Sequence, residues 1–364
     1  MKRIIAILMS TVLMILSFSG CQKEKENQYT KYSDTFFESF DTITRVVGYT
    51  KTEEEFKKYF DLIKNRFAEL HKNYDIYNNY DGINNIKTIN DNAGIKPVKV
   101  SKDIVDLILF AKEWDKKTGD KTNIAMGPVL RIWHDYREEG KNDPDNAKIP
   151  PMDKLKTADQ YTDINKVIVD KENSTVYLED KNMSLDVGAV AKGYATEVAA
   201  REVMASGLKS GIISAGGNVR VLGKPVDGVR ERWGIGIQDP SKDILSDDDN
   251  LLDTIFINNA SVVSSGDYER YYVVNDKIYH HLIDPVTLMP GTYYKAVTIV
   301  TENSGLADFL STAVFLTPFE KSKALVESLE GVEALWVLPD GKVEATDGMK
   351  KIMKGNGATG AKAK

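Results

Sequence analysis

The sequence predicts an α+β fold: a layered fold with a largely antiparallel sheet and packed helices. Two observations carry this. Short runs rich in β-branched and aromatic residues outnumber helical runs in the second half. Several are separated only by tight-turn signals such as Asn275-Asp276 and Pro339-Asp340-Gly341, which favour hairpins over the crossovers of a doubly wound sheet. With 364 residues the chain can bury a sizeable core.

The N-terminus stands apart. Lys2 and Arg3 precede an apolar run, Ile4 to Phe18, followed by Ser19-Gly20-Cys21. A basic start and a short apolar stretch read as a secretion signal, too short for a comfortable membrane span. The pattern resembles a bacterial lipoprotein signal, with Cys21 lipidated after removal of residues 1–20. The expected organisation is a tether over 21–32, a folded domain over 33–346 and a low-complexity, disordered tail over 347–364. Beyond Cys21 there is no cysteine, hence no disulfide.

Within the domain, Phe36–Tyr49 reads as one strand. Phe56, Phe60, Ile63, Phe67 and Leu70 have helical spacing, and Ser101 can cap a helix running to about Lys117. Residues 73–97 read as loop and 138–151 as a charged insert. Lys166–Val169 and Thr175–Leu178 form a hairpin, and a helix runs to about Ala205. Ile212–Ser214 and Val219–Leu222 flank a tight Ala215-Gly216-Gly217-Asn218 turn. Five further strands fall between Trp233 and Leu282, with an acidic, solvated loop near 246–250. A strand over Val297–Val300, helices over Gly305–Leu316 and Lys321–Leu329, and a terminal hairpin complete the chain. The formal charge of −6, from 48 basic and 54 acidic residues without a basic stripe, argues against nucleic acid as a partner.

Four segments concentrate chemistry. Ser184–Ala195 places Asp186, Gly188 and Lys192 around a small-residue turn into a helix, a setting that favours phosphate. An acid and a lysine at one turn suggest phosphate handled together with a metal. Asp308 and Thr312 lie four apart and share a helix face among apolar residues, costly unless satisfied. Such oxygens suit a hard cation, although a local reading also exists: Thr312 bonded one turn back and Asp308 at an exposed helix start. His280 and His281, half of the four histidines, are adjacent on a strand and point to opposite faces, so one can face a site. Ser264–Arg270 is a polar turn able to bind a ligand or merely to bond itself.

Taken in order, FDTIT (40–44), NIAMGPVLRIWH (123–134), LDVGAVAKGYA (185–195), SAGGNVRVLG (214–223), SSGDYERYY (264–272), HLIDP (281–285) and LADFLSTAVF (306–315) resemble the FAD:protein FMN transferase (ApbE-like) family. The resemblance implies Mg²⁺-dependent transfer of FMN from FAD to a Thr or Ser hydroxyl of an exported protein, releasing AMP. It implies a cation held by the Ala189 carbonyl, Asp308 and Thr312. It assigns FAD contacts to Phe40, Tyr77, Lys121, Thr122, Asn123, Asp186, Lys192 and Ile283, with His281 as the candidate base. Lys121-Thr122-Asn123 stands where many relatives have Ala-Phe-Asp, and Ser311 where some have a further acid. Family members are typically exported and often lipoproteins, so the expected location is the extracytoplasmic face of the cell membrane. The expected acceptors are exported flavin-carrying electron-transfer proteins. An FAD pyrophosphatase and a non-catalytic flavin-binding lipoprotein remain open alternatives.

Overall fold

The computed structural model describes residues 28–242 and 250–362, so Cys21, the signal segment and most of the acidic loop lie outside the described residues. An eight-stranded antiparallel sheet is the centre of the fold. Its strands are β1 (Thr30–Ser39), β2 (Thr42–Thr50), β6 (Gly211–Ala215), β7 (Asn218–Leu222), β10 (Ser261–Gly266), β13 (Ala296–Thr301), β14 (Glu333–Val337) and β15 (Val343–Ala345), in that spatial order. Smaller sheets join β3 (Val98–Lys99), β5 (Thr175–Leu178) and β4 (Val167–Asp170), then β8 (Trp233–Gln238) with β9 (Leu251–Ile257), and β11 (Tyr271–Val274) with β12 (Lys277–His280).

Helices are α1 (Glu53–Tyr74), α2 (Ile86–Asp91), α3 (Lys102–Thr118), α4 (Gly127–Asn142), α5 (Met152–Asp159), α6 (Ala191–Ala205), α7 (Ser304–Phe315), α8 (Phe319–Glu327) and α9 (Asp347–Ile352). Both faces of the large sheet are covered, so consecutive strand residues enter different cores. Val46 packs under Phe60, Ile63 and Val203 of α1 and α6, whereas Val47 joins Trp233, Ile235 and Ile255 of the β8–β9 hairpin. Likewise Ile299 meets Leu310 and Val314 of α7, and Val300 meets Leu335 and Met349. Two-sided burial explains strands that read as apolar runs without alternation.

Several expectations change. The single strand over 36–49 is a hairpin: Ser39 pairs with Thr42, and Phe40 and Asp41 take positive φ of 56° and 48°. Two consecutive left-handed residues make the tight turn that matches strand twist, here without the usual Asn-Gly signal. The folded region begins at Thr30, inside the expected tether. The loop over 73–97 contains α2, closed by an Asn85–Thr88 capping box. Ser101 precedes α3 without making a side-chain cap. Only the start of the charged insert, residues 138–142, belongs to α4, whose Val129, Trp133 and Gly140 are buried on one side; residues 144–146 form a separate short turn. The tail is ordered through 362: Thr346 caps α9, Met349 is fully buried, and Met353 and Ala361 bridge to Ile255 and Arg230. Met349, Ile352 and Met353, which pack into the core that holds Ile255, outweigh the Gly/Ala/Lys composition that suggested disorder. Among the described residues no helix is long and apolar enough to cross a membrane.

Candidate functional site

A cleft of about 300 Å³ opens where the Phe40–Asp41 turn, residues 121–126, the first turns of α4, the approach to α6, the β10–β11 connection, residues 281–283 and α7 converge. Phe40, Tyr77, Lys121, Thr122, Asn123, Asp186, Ala189, Lys192, His281, Ile283, Asp308 and Thr312 all line it. Stretches far apart in the chain thus meet in one place.

The segment before α6 is not a strand. Leu185 is instead held by a two-way bond to Asn90, and the Asp186 N–H donates to Ile124 O at 2.8 Å. The N–H groups that an anion was expected to meet are largely used by the protein. Gly188 donates to Asp186 Oδ1 (2.9 Å), Val190 and Ala191 donate to Val187 O, and Gly193 donates to Asp308 Oδ2 (2.7 Å). Phosphate in this cleft must therefore rely on side chains and a cation more than on the helix terminus. Close packing falls on Gly193, not Gly188: a Cβ at 193 would sit 2.4 Å from Asp308 Cβ and from Ser304 O.

The Asp308–Thr312 face has the chemistry of a cation site. Asp308 is 8% exposed, in the second turn of α7 rather than at an exposed start, and burial raises its pKa against the pull of Lys192 and the Gly193 N–H. Thr196 and Thr317 donate one turn back to Lys192 and Ala313 carbonyls, but among the described residues Thr312 makes no such bond. The local reading of both residues therefore fails. Ser311 is bonded to Ser265 Oγ (2.8 Å) and Asp308 O and does not line the cleft. Among the described residues no three His, Cys, Asp or Glu side chains gather to hold a metal unaided. One carboxylate with neutral oxygens fits a hard cation that shares its shell with substrate phosphates.

The strand expected to carry both histidines ends at His280, and His281 lies just beyond it. His280 is buried, with Nε2 2.7 Å from Gly291 O and its ring edge-on to Phe315. His281 lines the cleft, and its Nδ1 has no partner. Burial, then Arg270, His280, Arg137 and Lys192, push the His281 imidazole down to about 3. It is neutral at pH 7 and able to accept a proton. Asp186 is raised by burial, partly offset by the Gly188 N–H and by His134, Arg270 and Arg137. Lys192 Nζ donates to Gly216 O (2.9 Å) in the Gly-Gly turn, where a Cβ on Gly216 would lie 1.9 Å from Thr42 Oγ1.

Side chains of 121–123 are committed to the protein. Lys121 Nζ pairs with the buried Asp284 at 2.9 Å, Thr122 Oγ1 donates to Phe309 O, and Asn123 caps Ala125 while donating to Thr162 O. All three residues line the cleft with side chains already bonded to the protein. Phe40 rests edge-on against Phe67 and His71, and its N–H donates to His71 Nδ1; Tyr77 is half-exposed beside His134. Ile283 is buried in the cleft wall. Sequence reading missed His134 and Arg137, which sit 3.0 Å apart on α4 and reach the cleft. The spacing of Val129, Trp133 and Gly140 was the available signal for that helix.

The chain matches the ApbE family over residues 40–336. It is 34% identical over 277 residues to an FAD:protein FMN transferase of Treponema pallidum, covering 72% of both chains. It is 30% identical over 279 residues to one of Klebsiella pneumoniae, covering 76% of this chain and 82% of that one. The crystal structure of an ApbE protein from Thermotoga maritima superposes with TM-score 0.75 at 27% identity, covering 88% of this chain and 98% of that one. The flavin transferase ApbE from Vibrio cholerae shares the fold, with TM-score 0.71 at 18% identity over 89% of this chain and 99% of that one.

Proposed function

The chain belongs to the ApbE family, a flavin transferase family, and from that premise we propose that it moves FMN from FAD onto a Thr or Ser hydroxyl of another protein and releases AMP. The observation that carries this reading is the meeting of Ala189, Asp308 and Thr312 with Lys192, Arg270 and His281 in one cleft. Ala189 O, Asp308 and Thr312 would hold Mg²⁺, which when bound would neutralise charge on the pyrophosphate and polarise the phosphorus.

The chain's own residues do the rest. The His281 imidazole takes the proton of the acceptor hydroxyl, the freed oxygen bonds to the FMN phosphorus, and the bond from that phosphorus to the AMP oxygen breaks. Lys192 and Arg270 offset the charge left on AMP. A neutral histidine this far depressed is a weak base in the free enzyme. The pyrophosphate compensates for the cations that depress it, so His281 becomes more basic when FAD is in place. Phe40 and Tyr77 offer flat faces for the rings of FAD. Residues 121–123, Asp186 and Ile283 shape the wall beside it.

We place the enzyme on the extracytoplasmic face of the cell membrane, anchored through Cys21, with exported electron-transfer proteins as acceptors; the basic–apolar–Cys pattern supports this reading. Incubation with FAD, Mg²⁺ and such an acceptor should add the mass of FMN to the acceptor and release AMP. Free FMN and AMP with an unmodified acceptor would identify a hydrolase instead. Undiminished transfer after chelation would remove the cation from the scheme.

A further inference from the structure

A second link joins α6 to α7 one helical turn from the cleft. Gly193 and Glu197 lie one turn apart on α6; Ser304 and Asp308 lie one turn apart on α7. The Gly193 N–H donates to Asp308 Oδ2 at 2.7 Å, and the Ser304 N–H donates to Glu197 Oε2 at 2.9 Å. Each helix thus gives a backbone N–H to a carboxylate on the other. Glu197 is itself held by Arg220 of β7, whose Nε donates to Oε2 at 3.1 Å, and by the exposed Arg201 at 2.8 Å. Glu197 and Arg220 side chains are 7% and 4% exposed. Arg220 is fixed in turn by donating to Val221 O at 2.7 Å.

We propose that the buried Glu197–Arg220 pair is a positioning device that sets the register of α7 against α6, and so the height of Asp308 and Thr312 in the cleft. This rests on the reading of Asp308 as a cation ligand. Buried ion pairs contribute little net stability compared with apolar residues of similar shape, so their presence here points to registry. The geometry needs such a device. At Gly193 the helices touch without side-chain padding, and α7 could slide on α6 unless a second, directional contact stopped it. Groups behind a metal ligand commonly tune its affinity by about 10–100-fold.

The test compares the wild-type chain with Glu197→Gln and with the double variant Glu197→Leu/Arg220→Met. Two quantities are read: Mn²⁺ binding without FAD, and amide exchange of Gly193 without metal, with Leu316 at the far end of α7 as internal control. In the double variant, Gly193 exchange should accelerate at least about tenfold relative to Leu316, and the Mn²⁺ dissociation constant should rise by about 10–100-fold. Glu197→Gln keeps an acceptor for Ser304 but leaves the buried Arg220 without its counter-charge, so both readings should move in the direction of the double variant, and wild-type values on both would overturn the proposal. If the double variant does not fold, Arg220→Lys carries the test, since it keeps the charge and loses the Nε donor; the same direction is expected. Wild-type Gly193 protection, equal acceleration at Gly193 and Leu316, or unchanged Mn²⁺ affinity beside an altered Gly193 would each overturn the proposal. Asp308→Asn separates the two readings. If it binds Mn²⁺ as wild type, the cation assignment fails, while the exchange of Gly193 still decides the registry.

Discussion

Gly193 and Asp308 meet where α6 and α7 cross, with the glycine N–H donating to Oδ2 at 2.7 Å and no room for a methyl group between them. The contact fixes one carboxylate oxygen with a backbone donor and orients the side chain toward the cleft. It also ties the small-residue turn that carries Ala189 and Lys192 to the helix that carries Thr312. Two stretches more than a hundred residues apart in the chain become one site through this bond.

The first prediction concerns that crossing. In Gly193→Ala the new Cβ would sit 2.4 Å from both Asp308 Cβ and Ser304 O, so the helices must separate. Overpacking of this kind costs about 1–3 kcal/mol. Denaturant unfolding should show that loss, and flavin transfer should fall further than stability does, because Asp308 moves with α7. A variant of wild-type stability and activity would contradict the packing described here.

Asp308→Asn separates charge from shape. Its carbonyl can still accept the Gly193 N–H, and the volume is unchanged. Because burial raises the Asp308 pKa, the neutral amide should leave the fold as stable as wild type or slightly more so. Transfer should fall by at least about 100-fold, consistent with loss of a group that stabilises charge at the reacting centre. Thermal unfolding and a single-turnover assay on the same preparation test both halves.

Much of the fold was legible in the sequence, because hairpins declare themselves through short turns and apolar strands. The turn into a helix within Ser184–Ala195 and the helix expected over Gly305–Leu316 were legible for the same local reasons. What escaped depended on tertiary context. The Phe40–Asp41 turn uses two left-handed residues without Gly or Asn, so no local signal marks it. The second half of α4 is highly charged, which hid the Arg137–His134 pair. The tail looked featureless because its order comes from Met349 entering a core built by distant strands. The commitment of Lys121 to Asp284, 163 residues away, could not be seen from either segment.

That pair gives a third prediction. Lys121→Met leaves the Asp284 carboxylate, 4% exposed, without its cation. Breaking a buried pair from one side costs about 3–5 kcal/mol. Asp284→Asn alone can still accept the Val286 N–H, and the double variant Lys121→Met/Asp284→Asn should recover most of the loss. FAD affinity should follow stability across the three variants, because the Lys121 ammonium is held by Asp284. A Lys121→Met protein of normal stability but lost FAD binding would instead place the ammonium on the ligand.

The last prediction follows from His281 and pH. Its folded-state pKa is pushed down to about 3, below the value near 6.5 expected in the unfolded chain. Between those values the unfolded chain binds a proton that the folded chain does not, so unfolding free energy must fall as pH falls from about 6.5 toward 3. Above about 6.5 both states are neutral and the effect vanishes. The buried His280, whose pKa is also lowered, contributes in the same direction. His281→Gln removes one of the two contributions. Its unfolding free energy should therefore decline less steeply than wild type between pH 6.5 and 4, and in parallel with wild type above pH 7. Transfer by the same variant should drop by about 10²–10⁴-fold if His281 is the base. The slope of urea-unfolding free energy against pH tests the buried, neutral state of the ring independently of catalysis. Equal slopes for the two proteins would mean that His281 is already hydrated in the free enzyme, and a variant that transfers FMN at the wild-type rate would assign the proton to another acceptor.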